Sequence, residues 1–257
     1  MNSIERLEAF EKFINACEND NEKQWIGCGN PLAPILIVGK EPACPKKDAK
    51  EEIEKNIRIV RDCFYNGDLV NLFLQEYNGV RGSTWSRYQT LMDFILYGSQ
   101  IKRNEIQNFP FGVWSFITEI NNTTSPKTKD AENNTGHRKV LFENSTFIKD
   151  FPVVLLACGK NYINNDEGHW EINRIFDVKF DENWEGHSGV HDEFGKGYEF
   201  YTHHSEDGKR LVIHTPQISH YLNDEPLEAI AKIIRSHLTK KEKFPNHYIY
   251  SRLKHDE

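Results

Sequence analysis

The chain has 257 residues, of which 38% are hydrophobic and 12% aromatic, and a formal net charge of −7. This length suits one α/β domain with elaborations spanning 1–257, and no stretch approaches the roughly 20 apolar residues of a membrane span. The acidic balance argues against a large non-specific nucleic-acid surface, although Lys40, Lys46, Lys47 and Lys50 can still line a local groove, with Arg81 and Arg87 further on.

Ile4, Leu7, Phe10, Phe13, Ile14 and Cys17 recur at helical spacing, so 3–18 is predicted as an amphipathic helix within an N-terminal helical segment over 1–22. The charged opening does not read as a secretory signal. Residues 34–38 form a short buried strand. Helices follow over 48–65, with Ile53, Ile57, Val60 and Phe64 on one face, over 69–76, and from Ser83 to Tyr97. The apolar run 111–120 reads as a strand, and 121–139 as a long mobile loop with almost no apolar content. A short helix over 141–149 leads into 152–158, a continuous buried strand of the parallel-sheet kind. Strands are expected over 175–180, 198–203 and 211–214, with a hairpin turn at Glu206-Asp207-Gly208. The last helix covers 227–238, with Pro226 in its first turn and Asn223 or Asp224 as its cap. The order predicts a three-layer α/β/α sandwich with a central, mainly parallel sheet and an inserted β-rich region over about 160–208.

Two strand-plus-loop segments carry the functional signal. The run 35–44 (ILIVGKEPAC) stops at Gly39 and turns at Lys40-Glu41-Pro42, and 211–219 (LVIHTPQIS) delivers His214 onto Thr215-Pro216-Gln217. Open α/β sheets bind ligands beyond the carboxyl ends of their strands, so Glu41 and His214 are candidates for one pocket. His187 and His191 lack a third obvious ligand and are expected to be surface histidines, with no metal site. Five cysteines, odd in number and without a C-x-x-C pair, point to reduced thiols and the cytoplasm.

The segment 27–43, GCGNPLAPILIVGKEPA, is similar to the G-x-G-N-P-x-A-x-I-L-F-V-G-E-A-P-G opening of the iron–sulfur branch of the uracil-DNA glycosylase superfamily. FITEINN at 116–122 stands where that branch has Y-I-T-N-V-V-K, 152–159 resembles its P-x-V-I-L-A-L-G strand, and HTPQIS at 214–219 parallels the superfamily's H-P-S-P-L-S loop. The resemblance implies the glycosylase-like α/β fold and a hydrolase that extrudes and excises a damaged or non-standard base from DNA. It implies that Glu41 positions the attacking water and that His214 stabilises the leaving base. Gly39, Glu119, Asn121 and a stacking aromatic, Trp85, would surround the base. Lys40, Pro216, Gln217, Ile218 and Ser219 would meet the DNA, Ile218 as the wedge filling the vacated stack.

Two departures stand out. Glu119 replaces a base-reading Asn, and an ionised carboxylate only accepts hydrogen bonds, which points to a base presenting an amino group or to no base. Asn121 or Asn122 supplies the missing amide if the strand register differs. Only Cys17 and Cys28 precede Gly29, eleven apart, and the later stretch reads Thr123-Thr124-Ser125-Pro126, so no iron–sulfur cluster and no other cofactor are expected. A binding protein that keeps the fold without catalysis, and a hydrolase of free nucleosides, are the competing readings.

Overall fold

The computed structural model describes residues 1–42, 48–68, 83–100, 111–125, 132–160, 162–163, 169–221 and 223–240. Expectations for the helix over 69–76 and for Cys44, Lys46, Lys47 and Arg81 lie outside them. The described strands form one mixed sheet: β1 (Cys28–Gly29), β2 (Ile35–Gly39), β3 (Ser115–Glu119), β4 (Val153–Leu156), β5 (Lys179–Phe180), β6 (Val190–His191), β7 (Phe200–His204) and β8 (Leu211–His214). Its order is β1-β3-β2-β4-β8-β7-β5, with β6 also on β7. Parallel pairing is confined to β3-β2-β4-β8, while β1 at one edge and β7, β5 and β6 at the other are antiparallel. The sheet is therefore less parallel than the sequence suggests. The region 160–208 extends the same sheet instead of standing apart from it.

Eight helices are described: α1 (Ser3–Asn19), α2 (Ala49–Tyr65), α3 (Ser83–Tyr97), α4 (Phe111–Trp114), α5 (Gly136–Asn144), α6 (Thr146–Lys149), α7 (Trp170–Phe176) and α8 (Glu225–Lys240). Strand residues alternate between two apolar clusters. Leu36, Val38, Phe116, Val154, Leu156 and Val212 pack with α1, α2, α5, α6 and α7. Ile35, Ile37, Ile117, Val153, Leu155 and Ile213 pack with α3 and α8. Burial on both faces explains why the central strands read as unbroken apolar runs. No described helix is long and apolar enough to cross a membrane.

α1 starts with a capping box, the Asn2 side chain accepting from Ile4 N and Glu5 N while the Glu5 carboxylate accepts from Asn2 N. Phe10, Phe13, Ile14 and Cys17 are buried as the spacing predicts, but Ile4 is 70% exposed and lies outside the packed stripe. Three elements differ from expectation. Phe111–Trp114 is a helical turn rather than strand, with Ser115 Oγ donating to Phe111 O at 2.6 Å. The supposed loop over 121–139 is buried at Asn121, Asn122, Thr124 and Ser125, and gives way to α5 at Gly136. Ile175 and Phe176 belong to α7, not to a strand.

The G-C-G-N-P segment serves the scaffold. Gly27 (φ +125°) and Gly29 (φ +93°) lie so close to β3 that a Cβ would sit 2.2 Å from Ile117 O and 2.4 Å from Ser115 O. Asn30 then holds the α4 turn, its backbone N–H donating to Gly112 O and its Nδ2 to Val113 O.

Candidate active site at the carboxyl ends of the central strands

Counted along the chain, the parallel strands lie side by side in the order second, first, third, fourth. The path reverses between β2 and β4, and open α/β sheets bind ligands beyond the carboxyl ends at such a switch point. Residues leaving β2 (Gly39, Lys40, Glu41) and β4 (Ala157, Cys158, Gly159) flank it. Backbone bonds fix its rim. Ile120 N donates to Gly39 O, Asn121 N to Lys40 O, Ala157 N to Val38 O, Thr215 N to Leu156 O and Gly159 N to Thr215 O.

Glu119, the last residue of β3, pairs in register with Gly39. Its carboxyl crosses over Gly39, where a Cβ would come 2.2 Å from Oε2. Oε2 is sealed from solvent without a hydrogen-bond partner, although the residue as a whole keeps some exposure. Burial first, and then the nearby charge of Glu41, push this carboxyl up to about 8; Arg138 acts in the opposite sense. Glu119 is therefore mostly a neutral carboxylic acid at pH 7, which removes the expectation of an acceptor-only group.

Glu41 accepts a hydrogen bond of 2.7 Å from Tyr162 Oη. Burial, reinforced by this bond to Glu41, raises the Tyr162 phenol above its ordinary value, so it remains a donor. The sequence reading missed Tyr162. It lies in the loop after β4, where the carboxyl-end rule directs attention.

His214, 1% exposed, ends β8 in register with Leu156 of β4 and Tyr201 of β7. It stands two strand spacings from β2, on the order of 10 Å. A ligand lying over β4 would be placed between it and Glu41. Burial lowers the imidazole to about 4, a hydrogen bond to the Gly159 backbone resists, and His169 and Lys160 add to the lowering. The ring is neutral at pH 7. It sits in an aromatic nest where the His169 ring stacks on Phe180 at 4.1 Å, His203 Nδ1 lies 3.0 Å from Asn173 Oδ1, and Lys160 Nζ stands 5.1 Å over Tyr201.

Other predicted site residues are held as follows. Asn121 Nδ2 donates to Glu132 O and its Oδ1 accepts from Asn134 N, while Asn122 bridges Trp25 N and Lys23 O. Asn122 braces loops, whereas the Asn121 side chain also hydrogen-bonds Tyr162, the residue that holds Glu41. Ile218 is fully buried against the α3–α8 cluster, so no wedge projects there. Trp85 is half-buried against Tyr88 and Phe111 as part of that cluster's rim. Lys40, Pro216, Gln217 and Ser219 stay partly exposed at the crevice edge, Gln217 Nε2 lying 3.5 Å from Thr84 Oγ1 of α3. Arg87 is engaged by Asp224 and by Asn223 O. Among the described residues no group of three or more His, Cys, Asp or Glu is placed to hold a metal, and Cys17, Cys28, Cys63 and Cys158 are buried and outside any disulfide.

The chain matches no known protein family and no curated protein.

Proposed function

We propose that the protein is a uracil-DNA-glycosylase-like hydrolase that cleaves the N-glycosidic bond of a damaged or non-standard base in DNA, on a three-layer α/β/α frame of that superfamily's kind. The observation that carries this reading is the carboxyl pair Glu41 and Glu119 at the switch point, with the neutral His214 across β4.

Breaking an N-glycosidic bond builds positive charge on the sugar and negative charge on the departing base. In the proposed reaction Glu41, held by Tyr162, orients a water and faces the cationic sugar. The water oxygen bonds to the anomeric carbon, the C–N bond breaks with its electron pair leaving on the base, and the water proton passes to Glu41. A preorganised donor against the departing base supplies several kcal/mol in sites of this kind. His214 fills that role in the tautomer whose proton faces the crevice. The partly exposed Lys40, Pro216, Gln217 and Ser219 receive the DNA strand. The chemistry calls for no cofactor.

A second reading, a nucleic-acid- or nucleotide-binding protein without catalysis, draws on specific observations. The Asn122 amide is committed to a loop, Ile218 is in the core, and the one N–H of the neutral His214 ring is engaged by the Gly159 backbone. Oligonucleotides carrying uracil, hypoxanthine, xanthine or thymine opposite each base decide between the two. The glycosylase reading predicts release of at least one base, lost in Glu41→Gln and in His214→Ala. DNA binding with no release from any substrate supports the second reading.

A further inference from the structure

We infer that Asn121 is a positioning residue for Glu41, acting through the Tyr162 hydroxyl, whose single hydrogen it directs onto the carboxylate; this deepens, and rests on, the reading of Glu41 as the group that orients water. The placement starts with the backbone. Asn121 N donates to Lys40 O at 2.8 Å and Ser125 N to Pro42 O at 3.0 Å, so the loop after β3 clips the chain on both sides of Glu41. Backbone bonds alone do not aim a glutamate side chain, which still turns about its own bonds. That aim comes from the loop after β4, where Tyr162 Oη donates to Glu41 Oε2 at 2.7 Å.

A phenol has one hydrogen and can point it at any acceptor within reach. The Asn121 amide decides the direction. Backbone groups fix the amide's own orientation: Oδ1 accepts from Asn134 N at 2.9 Å and from Thr123 N at 3.3 Å, and Nδ2 donates to Glu132 O at 2.8 Å. Exchanging oxygen and nitrogen would set donor against donor and acceptor against acceptor at every one of these contacts. The second Nδ2 hydrogen goes to Tyr162 Oη. Because that oxygen receives a hydrogen from Asn121, its own hydrogen is left for Glu41.

The bond received at the phenol oxygen also polarises the O–H and strengthens its donation to Glu41. Tyr162 is 5% exposed, and burial together with the bond to Glu41 raises its phenol, so it remains a donor at neutral pH. Glu41 itself stays partly exposed, as a group that meets a water must. Asn121 is fully buried with both hydrogens and both oxygen lone pairs engaged, which leaves it no capacity to read a base.

The test uses the full chain and two readouts. One needs no substrate: the 13Cδ signal of Glu41 at pH 7, assigned by its loss in Glu41→Gln. The other is kcat and KM for release of whichever base the oligonucleotide panel yields. Tyr162→Phe is expected to move the Glu41 signal and to lower kcat about tenfold, with KM within about twofold of wild type. Asn121→Asp keeps the bonds from Thr123 N and Asn134 N but cannot donate, and its carboxylate draws the phenol hydrogen away from Glu41. It should move the Glu41 signal in the same sense and lower kcat by about the same factor. Asn121→Ala, which adds no charge, should lower kcat at least about threefold by itself and by less than about 1.5-fold in the Tyr162→Phe background. Urea unfolding follows the stability of each variant, and if Asn121→Ala does not fold, Asn121→Asp carries the same comparison across the two backgrounds. A merely structural Asn121 would cost stability in both backgrounds without moving the Glu41 signal. A Glu41 signal unmoved by the Asn121 variants, or equal factors in kcat with and without the Tyr162 hydroxyl, would overturn the inference. Base release lost in Glu41→Gln yet indifferent to Asn121 defeats this inference alone. No release from any oligonucleotide, with the Glu41 signal moved by Asn121 only when the Tyr162 hydroxyl is present, defeats the glycosylase reading alone.

Discussion

Gly39 and Tyr162 set the site through single contacts, so each has a sharp consequence. In Gly39→Ala the new methyl would lie 2.2 Å from Glu119 Oε2, and the carboxyl, at the far end of a flexible side chain, must move aside. The expected result is a loss of base release of tenfold or more with about 1 kcal/mol lost from stability, read by activity alongside urea unfolding. Unchanged release would show that the Glu119 position does not matter. Tyr162→Phe removes the 2.7 Å bond to Glu41, which as a hydrogen bond to a charged group is worth about 1.5–3 kcal/mol. A fall in kcat of roughly tenfold or more with little change in KM is predicted. Much at this scale was legible in the sequence. The abrupt ends of the apolar runs at Gly39 and His214 mark the carboxyl ends of β2 and β8, because strands covered on both faces carry few polar residues before they leave the sheet. The raised value of the Glu119 carboxyl was not legible, since it depends on burial, on Glu41 and on Arg138, which only the fold brings around it. Tyr162 was missed because one tyrosine in a polar loop carries no pattern.

Helices and strands with one clean apolar stripe were readable, α2 and β4 most clearly, and failures occurred where polar residues do the packing. α5 buries Arg138 and Phe142 four residues apart, a helical stripe half of which is an arginine. That guanidinium donates to Glu119 O at 3.1 Å and to Thr118 Oγ1 at 2.7 Å, fastening α5 to the end of β3. Its replacement in Arg138→Met leaves those oxygens without their donor at similar volume, and about 2–4 kcal/mol of destabilisation is expected by urea unfolding. Unchanged stability would mean that α5 is held by apolar packing alone. Asn56 of α2 repeats the theme, accepting from Ile26 N and Gly27 N and donating to Gly27 O, all within the core. Phe111–Trp114 was mistaken for strand because a short apolar run has no period to decide it; the choice is made by Asn30, some eighty residues earlier.

Across the whole molecule, the two perturbed site groups predict an unusual dependence of stability on pH. The folded-state value of His214 lies below its unfolded value near 6.5, so the unfolded chain takes up the proton first, and stability falls as pH drops from about 6.5 to about 4, by about 3 kcal/mol. Glu119 is raised instead. The unfolded chain ionises from about 4.5 while the folded one holds its proton to about 8, so stability falls as pH rises through that window. The two slopes oppose one another between about 4.5 and 6.5 and leave the alkaline fall to Glu119. Glu119→Gln is therefore expected to match wild type at pH 5 and to unfold at a higher temperature at pH 8.5. Equal Tm values at both pH values would contradict a neutral Glu119. The parallel centre of the sheet could be anticipated from its apolar runs. Of its antiparallel margins, the β7–β8 hairpin was anticipated from the turn at Glu206-Asp207-Gly208, whereas the two-residue strands β1, β5 and β6 are too short to show alternation.

The most direct test of the central claim is product analysis in one tube, with wild-type protein and each of the oligonucleotides carrying uracil, hypoxanthine, xanthine or thymine, assayed for free base by chromatography and for abasic sites by alkaline cleavage. The glycosylase reading predicts equal amounts of both products from at least one of them, and neither with Glu41→Gln. Intact DNA from every one, or strand cleavage without free base, would contradict it.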